Sequence, residues 1–349
     1  MILMSKRILA AACAAATALA LSACSPSAST GGKTSKDGTL TVMASFYPLK
    51  YLAEKVGGEH VTVTSLTPDG AEPHDLELSP KMVDSLASAD AVVYLAGFQG
   101  AVDEAVEQHA PKTVIDVSSA AQLVAIDSTS NHPGEDEGTD EAQSGEAQSG
   151  EAADHDHEGH EHEGHDHEHA DHDHHHDMSM DPHFWLDPAR MANAATLVGD
   201  KLAEADPTNA ETYKANAQAL NEELTSLGDN LVAKTSTCQI KTFVTAHTAF
   251  GYLADRTGLT QVGISGLDPE SSPSPARLAE IGKIVKDQGV TTIFTEALIA
   301  PKVEQTLADA LGISTAVLDP IESQTDSSKD YAAVMNDNID ALTKANNCQ

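Results

Sequence analysis

The stretch TLTVMASFYPLKYLAEKVGGEHVTVTSL (residues 39–66) decides the fold. An apolar run of strand length, Thr39–Ala44, leads into a segment with helical spacing of apolar residues, Leu49–Val56, and then into a second strand-like run, Val61–Leu66. A strand, a helix and a strand in such close succession make a crossover, which implies a parallel sheet covered by helices on its faces. The rhythm continues with strands at Ala91–Leu95 and Thr113–Val117 and helices near Pro80–Ala87 and Gly100–His109. It returns after Lys241, with strands at Thr242–Ala246, Thr260–Ile264, Thr291–Phe294 and Ser314–Leu318. Helices are expected there near Thr248–Thr257, Ser274–Gln288, Lys302–Leu311 and Lys329–Lys344. The expected class is therefore α/β, with two parallel-sheet (β/α) lobes at residues 39–130 and 238–349 and residues 181–187 closing the first lobe.

Connecting helices are expected over residues 188–237. Asp187-Pro188 pairs a good N-cap with proline at the first helical position, and Asp206-Pro207 repeats the signal. From there a helix to Lys234 would reach roughly 42 Å, enough to run the length of both lobes and limit hinge motion between them.

The N-terminus reads as an export signal. Lys6 and Arg7 precede an apolar run from Ile8 to Leu21, about 14 residues against the roughly 20 that a membrane span needs. The run ends in Leu21-Ser22-Ala23-Cys24, which resembles a bacterial lipobox and implies cleavage before Cys24 and a lipid on its sulfur; an ordinary small-residue cleavage site is the alternative. Residues 1–23 are then signal and 24–38 a Ser/Thr/Gly-rich tether, so the mature chain is anchored to a membrane rather than embedded in it. Cys238 and Cys348 are left, and in an exported protein they read as one disulfide, with two free thiols as the alternative.

The 349 residues carry 20 Lys and Arg against 54 Asp and Glu, a net charge of −34 that excludes a nucleic-acid binder. Aromatics are only 4%, so the cores are expected to be mostly aliphatic. The charge is local: residues 131–181 hold 18 acids, and no Lys or Arg lies between Lys112 and Arg190. Eleven of the 17 histidines, His155, His157, His160, His162, His165, His167, His169, His172, His174, His175 and His176, fall in the same segment. Residues 131–180 cannot supply a core and are expected to be a disordered loop whose imidazoles and carboxylates offer many weak metal sites. A solvated acidic spacer is the bland alternative.

Outside that loop, His74, His183 and His247 each sit where a strand should end or a helix begin. Loops at the carboxyl ends of parallel strands are where open α/β sheets bind ligands, so three such histidines from two lobes point to a shared metal. Glu296 and Asp319 follow expected strands and are the candidates for a fourth ligand. Asp319 is favoured, because Pro320 leaves no amide there to pair with the carboxylate; Glu296 is placed behind the ligands, or in an ion pair with Lys302. Three imidazoles and one carboxylate suit Zn²⁺, whereas Mn²⁺ would favour more oxygen.

Five ordered motifs extend this reading: Ser45-Phe-Tyr-Pro-Leu, Gly70-Ala-Glu-Pro-His74-Asp, Asp181-Pro-His183-Phe-Trp-Leu-Asp-Pro, Thr245-Ala-His247-Thr-Ala-Phe-Gly-Tyr and Val317-Leu-Asp319-Pro. Together the chain resembles the ZnuA/TroA-like zinc- and manganese-binding receptors of bacterial ABC importers, over nearly everything from Thr39 to Cys348 except the acidic loop. The resemblance implies that His74, His183 and Asp319 are ligands and that His247, a histidine where manganese receptors often carry glutamate, puts the chain on the zinc side. One departure is Ser271-Ser272-Pro273-Ser274, where the family usually has an acidic residue before Pro-Ser.

The expected protein is a monomeric, lipid-anchored Zn²⁺ receptor on the outer face of a bacterial cell membrane, handing zinc to an ABC permease driven by a cytoplasmic ATPase. A manganese receptor and an extracellular zinc buffer or adhesin are the alternatives. An enzyme is disfavoured: four protein ligands leave no open position for water, and the chain has no His-Glu-X-X-His, Gly-X-Ser-X-Gly or P-loop.

Overall fold

The computed structural model describes residues 38–126 and 180–349, all within one compact unit. Two four-stranded sheets, each wholly parallel, repeat one topology. The first has strand order β2-β1-β3-β4, with β1 at Leu40–Ala44, β2 at Val61–Ser65, β3 at Ala91–Tyr94 and β4 at Thr113–Asp116. The second has order β6-β5-β7-β8, with β5 at Thr242–Thr245, β6 at Thr260–Gly263, β7 at Thr292–Thr295 and β8 at Ser314–Val317. The inner strands β1 and β5 are buried along nearly their whole length, as strands covered on both faces must be.

Helices α1 (Tyr47–Gly57), α2 (Pro80–Ser88), α3 (Gly100–His109) and the single turn α4 (Ser118–Ala121) follow the first four strands in turn. In the second lobe α7 (Gly251–Thr257), α8 (Pro275–Gln288), α9 (Lys302–Leu311) and α10 (Tyr331–Ala345) do the same. Side-chain caps fix several starts: Ser79 Oγ accepts from Met82 N, Ser274 Oγ from Arg277 N, and Asp330 Oδ1 from Ala333 N. Ser274, inside the stretch that departs from the family pattern, thus has a local job as the cap of α8.

The connection is a helical hairpin. Helix α5 (Pro188–Ala205), capped by Asp187, turns at residues 206–209 into α6 (Ala210–Thr235), whose 26 residues rise about 39 Å. Asp206 does not cap the second helix, as its Asp-Pro signal suggests. Its carboxylate accepts from Thr208 N, Asn209 Nδ2 and the Tyr213 hydroxyl, which closes the turn and delays the helix to Ala210. The two helices pack so closely that a Cβ on Gly199 would stand 2.4 Å from the Ala217 Cβ. Asn216 Nδ2 on α6 donates to Val56 O in the first lobe, and Lys234 farther along the same helix pairs with Asp340 in the second.

One hydrophobic core runs through both lobes, from Val42 and Leu52 through Trp185, Leu202 and Leu224 to Phe250, Met335 and Ile339. The scarce aromatics are spent there rather than on the surface. All six phenylalanines and the single tryptophan are buried, and Phe46 packs edge-on to Trp185 and Phe98 at centroid distances of 4.8 and 5.0 Å.

Cys238, just past α6, is disulfide-bonded to Cys348, just past α10. The backbone pairs Gln239 N with Asn347 O and Ile240 N with Asn346 O beside it. A crosslink closing a span of 110 residues removes much chain entropy from the unfolded state. Replacing both cysteines with serine is expected to lower unfolding free energy by about 2–5 kcal/mol in a denaturant titration.

Cys24 and the histidine tract His155–His176 lie outside the described residues. Met180, the last residue of the loop as drawn from the sequence, forms an isolated antiparallel bridge with Ala125. No helix among the described residues is long and apolar enough to cross a membrane.

Candidate metal centre

Three loops at the carboxyl ends of strands β2, β5 and β8 meet the segment that leads into α5. The loop after β2 turns at Gly70, whose φ of 79° glycine tolerates without penalty, and Gly70 N donates to Ser323 Oγ of the opposite lobe at 2.7 Å. Beyond that turn the Glu72 carboxylate accepts from the backbone of His74 and Asp75, fixing the loop that carries His74. His183 stands five residues before the start of α5, and His247 two residues beyond β5. Thr248 hydrogen-bonds Gly266 O and Ser265 O across the loop, so α7 begins at Gly251 rather than at Thr248 and leaves His247 free of the helix.

His74, His183 and His247 converge on a residue absent from the expected set, Glu322; their donor atoms all lie within 4.8 Å of one another. Glu322 Oε1 stands 3.4 Å from His74 Nε2 and 3.3 Å from each of His183 Nε2 and His247 Nε2. Zinc–nitrogen bonds of about 2.0–2.1 Å in a tetrahedron put neighbouring donors about 3.3–3.4 Å apart, which the three separations from Glu322 match, while the four donor atoms together span up to 4.8 Å. The Nε2 atoms of His183 and His247 are buried and make no hydrogen bond, although a carboxylate oxygen is that near. His183, His247 and Glu322 are at most 2% exposed, and Phe98 and Trp185 wall the site at ring distances of 4.8 Å from His74 and 5.2 Å from His183.

The far nitrogens of two rings are locked by carboxylates. His183 Nδ1 pairs with Asp181 Oδ1 at 2.8 Å, and His247 Nδ1 with Glu296 Oε1 at 2.5 Å; each carboxylate also accepts the backbone amide of its histidine. A proton held on Nδ1 leaves the Nε2 lone pair free for a metal and makes the ring a stronger base. Glu296 therefore sits behind His247, and its carboxylate is spent there rather than on the metal.

Charge is finely balanced here. Burial pulls His247 down, but Glu296 and then Glu322 outweigh it and raise its pKa to about 10. His183 moves the same way: burial lowers it, and the nearby carboxylates of Asp181 and Glu322 bring it above its usual 6.5. Burial alone would raise Glu322, yet the three imidazoles hold it well below the usual carboxylate range.

Asp319, the fourth ligand expected from the sequence, is not in the cluster. Pro320 has no amide to offer, but the next residue does: Asp319 Oδ1 accepts from Ile321 N at 2.8 Å. Burial, with Glu322 and Glu296 nearby, raises its pKa to about 6. The missed signal was the Asx-type turn itself, in which an aspartate bonds the amide two residues on and leaves the next carboxylate, Glu322, to face the cleft.

A model of the family described as "ZnuA: Zinc-uptake complex component A periplasmic" matches residues 42–345. The chain belongs to the ZnuA family. It is 31% identical over 337 residues to the high-affinity zinc uptake system protein ZnuA of Bacillus subtilis, with 94% of each chain covered. It is 33% identical over 311 residues to the zinc-binding protein AdcA of Streptococcus pyogenes serotype M3, covering 88% of this chain but only 56% of that relative. The chain thus spans little more than half the length of the AdcA proteins it matches. Among family structures, AdcAII of Streptococcus pneumoniae superposes with a TM-score of 0.69 at 29% identity, covering 88% of this chain and 98% of that one. The laminin-binding protein Lmb of Streptococcus agalactiae, described as having adhesin and metal-transporting activity, gives 0.68 at 28% identity over 88% of this chain and 99% of its own.

Proposed function

We propose that this chain is an extracytoplasmic receptor that binds one Zn²⁺ through His74, His183, His247 and Glu322 and passes it to an ABC permease powered by a cytoplasmic ATPase. The observation that carries the reading is the trio of Nε2 atoms gathered from both lobes within 3.3–3.4 Å of Glu322 Oε1. Three nitrogen donors and one oxygen favour Zn²⁺ over Mn²⁺. Four protein donors fill a tetrahedron, which suits capture and release of cargo rather than catalysis on a bound water. The relatives named zinc-binding lipoprotein and zinc uptake protein support export and zinc as cargo. Lipidation at Cys24 would hold the receptor at the outer face of the membrane, as a monomer, with the tract His155–His176 adding weak zinc sites.

Stoichiometry tests this reading. Because Ala125 and Met180 are paired, a short glycine linker can replace residues 127–179 without pulling the stem apart. Calorimetric zinc titration of both forms should show one tight site in each and extra weak sites only with the tract present. Loss of the tight site on excision would make the tract, and not the cleft, the receptor.

A further inference from the structure

Ile321 has a backbone φ of 57°, in the left-handed region where a β-branched residue is a genuine outlier. It is 1% exposed and lies directly before Glu322. Three sets of bonds hold this turn. Asp319 Oδ1 accepts the Ile321 amide at 2.8 Å. The backbone of Asp319 is clamped by Asn338 of α10, whose Oδ1 accepts from Asp319 N at 2.8 Å and whose Nδ2 donates to Asp319 O at 2.7 Å. Pro320 O accepts from Trp185 Nε1 at 2.7 Å, and Trp185 is two residues beyond His183. The loops bearing His183 and Glu322 are therefore bonded directly across the lobes.

We infer that Asp319 is a positioning residue: by bonding the Ile321 amide it keeps the left-handed turn closed and so aims the Glu322 carboxylate at the three imidazoles. The inference rests on the zinc reading given above. A side chain that disfavours φ > 0 would relax toward extended or right-handed backbone once its amide lost that partner, and a rotation at Ile321 swings the next side chain out of the cleft. Asp319 acts on the metal through Glu322 and not as a ligand.

The test is a set of variants whose zinc affinity is measured against a competing chelator dye, with folding checked by circular dichroism. Asp319→Ala is expected to weaken zinc binding by about 10–100-fold, the usual effect of losing a group that orients a ligand. Asp319→Asn keeps an acceptor oxygen in place and should stay within about threefold of the parent. Adding Ile321→Gly to Asp319→Ala should recover most of the loss, because glycine takes a positive φ without penalty. If the glycine unfolds this buried site, Asp319→Ala/Ile321→Asn makes the same test, asparagine being tolerant of that conformation. The inference is overturned if Asp319→Asn is as damaging as Asp319→Ala, which would make the charge the active feature, or if neither second-site change restores affinity. Cobalt loading adds a spectroscopic readout: Asp319→Asn should keep the parent's visible spectrum, and a changed spectrum would make Asp319 a ligand. Glu322→Ala separates the two claims. If it leaves affinity unchanged the zinc site itself is misassigned, whereas if it is crippling and Asp319→Ala is silent only the positioning role fails.

Discussion

Glu322→Ala is expected to weaken zinc binding by about 10²–10⁴-fold, the equivalent of the 3–5 kcal/mol lost when one member of a buried charged group is removed. Two effects add. The tetrahedron loses the only anionic donor in its set, and the three imidazoles, 3.3–3.4 Å from Glu322 Oε1, lose the charge that balances a dication. Glu322→Gln keeps the shape and a neutral oxygen, so it should fall between parent and alanine. Competition titration against a chelator of known affinity measures both variants. Near-parental binding by Glu322→Ala would remove this residue from the ligand set.

Zinc affinity should fall by at least a hundredfold from pH 8 to pH 6. A metal takes only neutral imidazole, and His247, with its pKa near 10, must surrender a proton to zinc at any pH below that value. One displaced proton costs about tenfold per pH unit, and His183, also raised, steepens the slope toward the acid end. Calorimetry in two buffers of different ionisation enthalpy counts the protons released; a flat affinity, with no proton release, would defeat the expectation. The metal-free fold responds differently. Because His247 is raised, the stability it contributes is complete below about 6.5 and disappears only as pH climbs through about 10. Glu322 is depressed, so its contribution is present above about 4.5 and is lost only as pH falls through its lowered value. Mild acid thus empties the site without loosening the protein around it.

The parallel strands were legible because strands buried on both faces are short apolar runs, and Thr39–Ala44 and Thr242–Ala246 are clean examples. The three histidines were legible for a related reason: each falls at the end of such a run or just before a capped helix, where a parallel fold places its loops. Glu322 was not. Strand β8 ends at Val317, and Asp319 comes nearer to it in sequence, but a carboxylate that folds back onto the Ile321 amide is spent on the backbone. The start of α6 was misjudged on the same chemistry, since Asp206 gives its oxygens to a turn three residues ahead of the helix. Both errors have one source: an aspartate beside proline announces a polar turn but does not say which groups its oxygens take. The sharing of one core between the lobes had no local signature either, because it depends on Trp185 and the α5–α6 hairpin packing against residues far away in the chain.

That shared core bears on how a loaded receptor could be told from an empty one. Prying the lobes apart would break the hydrogen bonds from Trp185 Nε1 to Pro320 O and from Gly70 N to Ser323 Oγ, part the Tyr51 and Tyr331 rings that now lie 5.3 Å apart, and open the core they close. Each core side chain exposed in this way would cost about 1.5–3 kcal/mol against a domain stability of about 5–15 kcal/mol, so a wide clamshell swing is disfavoured. Zinc binding is therefore expected to move the segments that carry His74, His183, His247 and Glu322 more than it moves the two lobes.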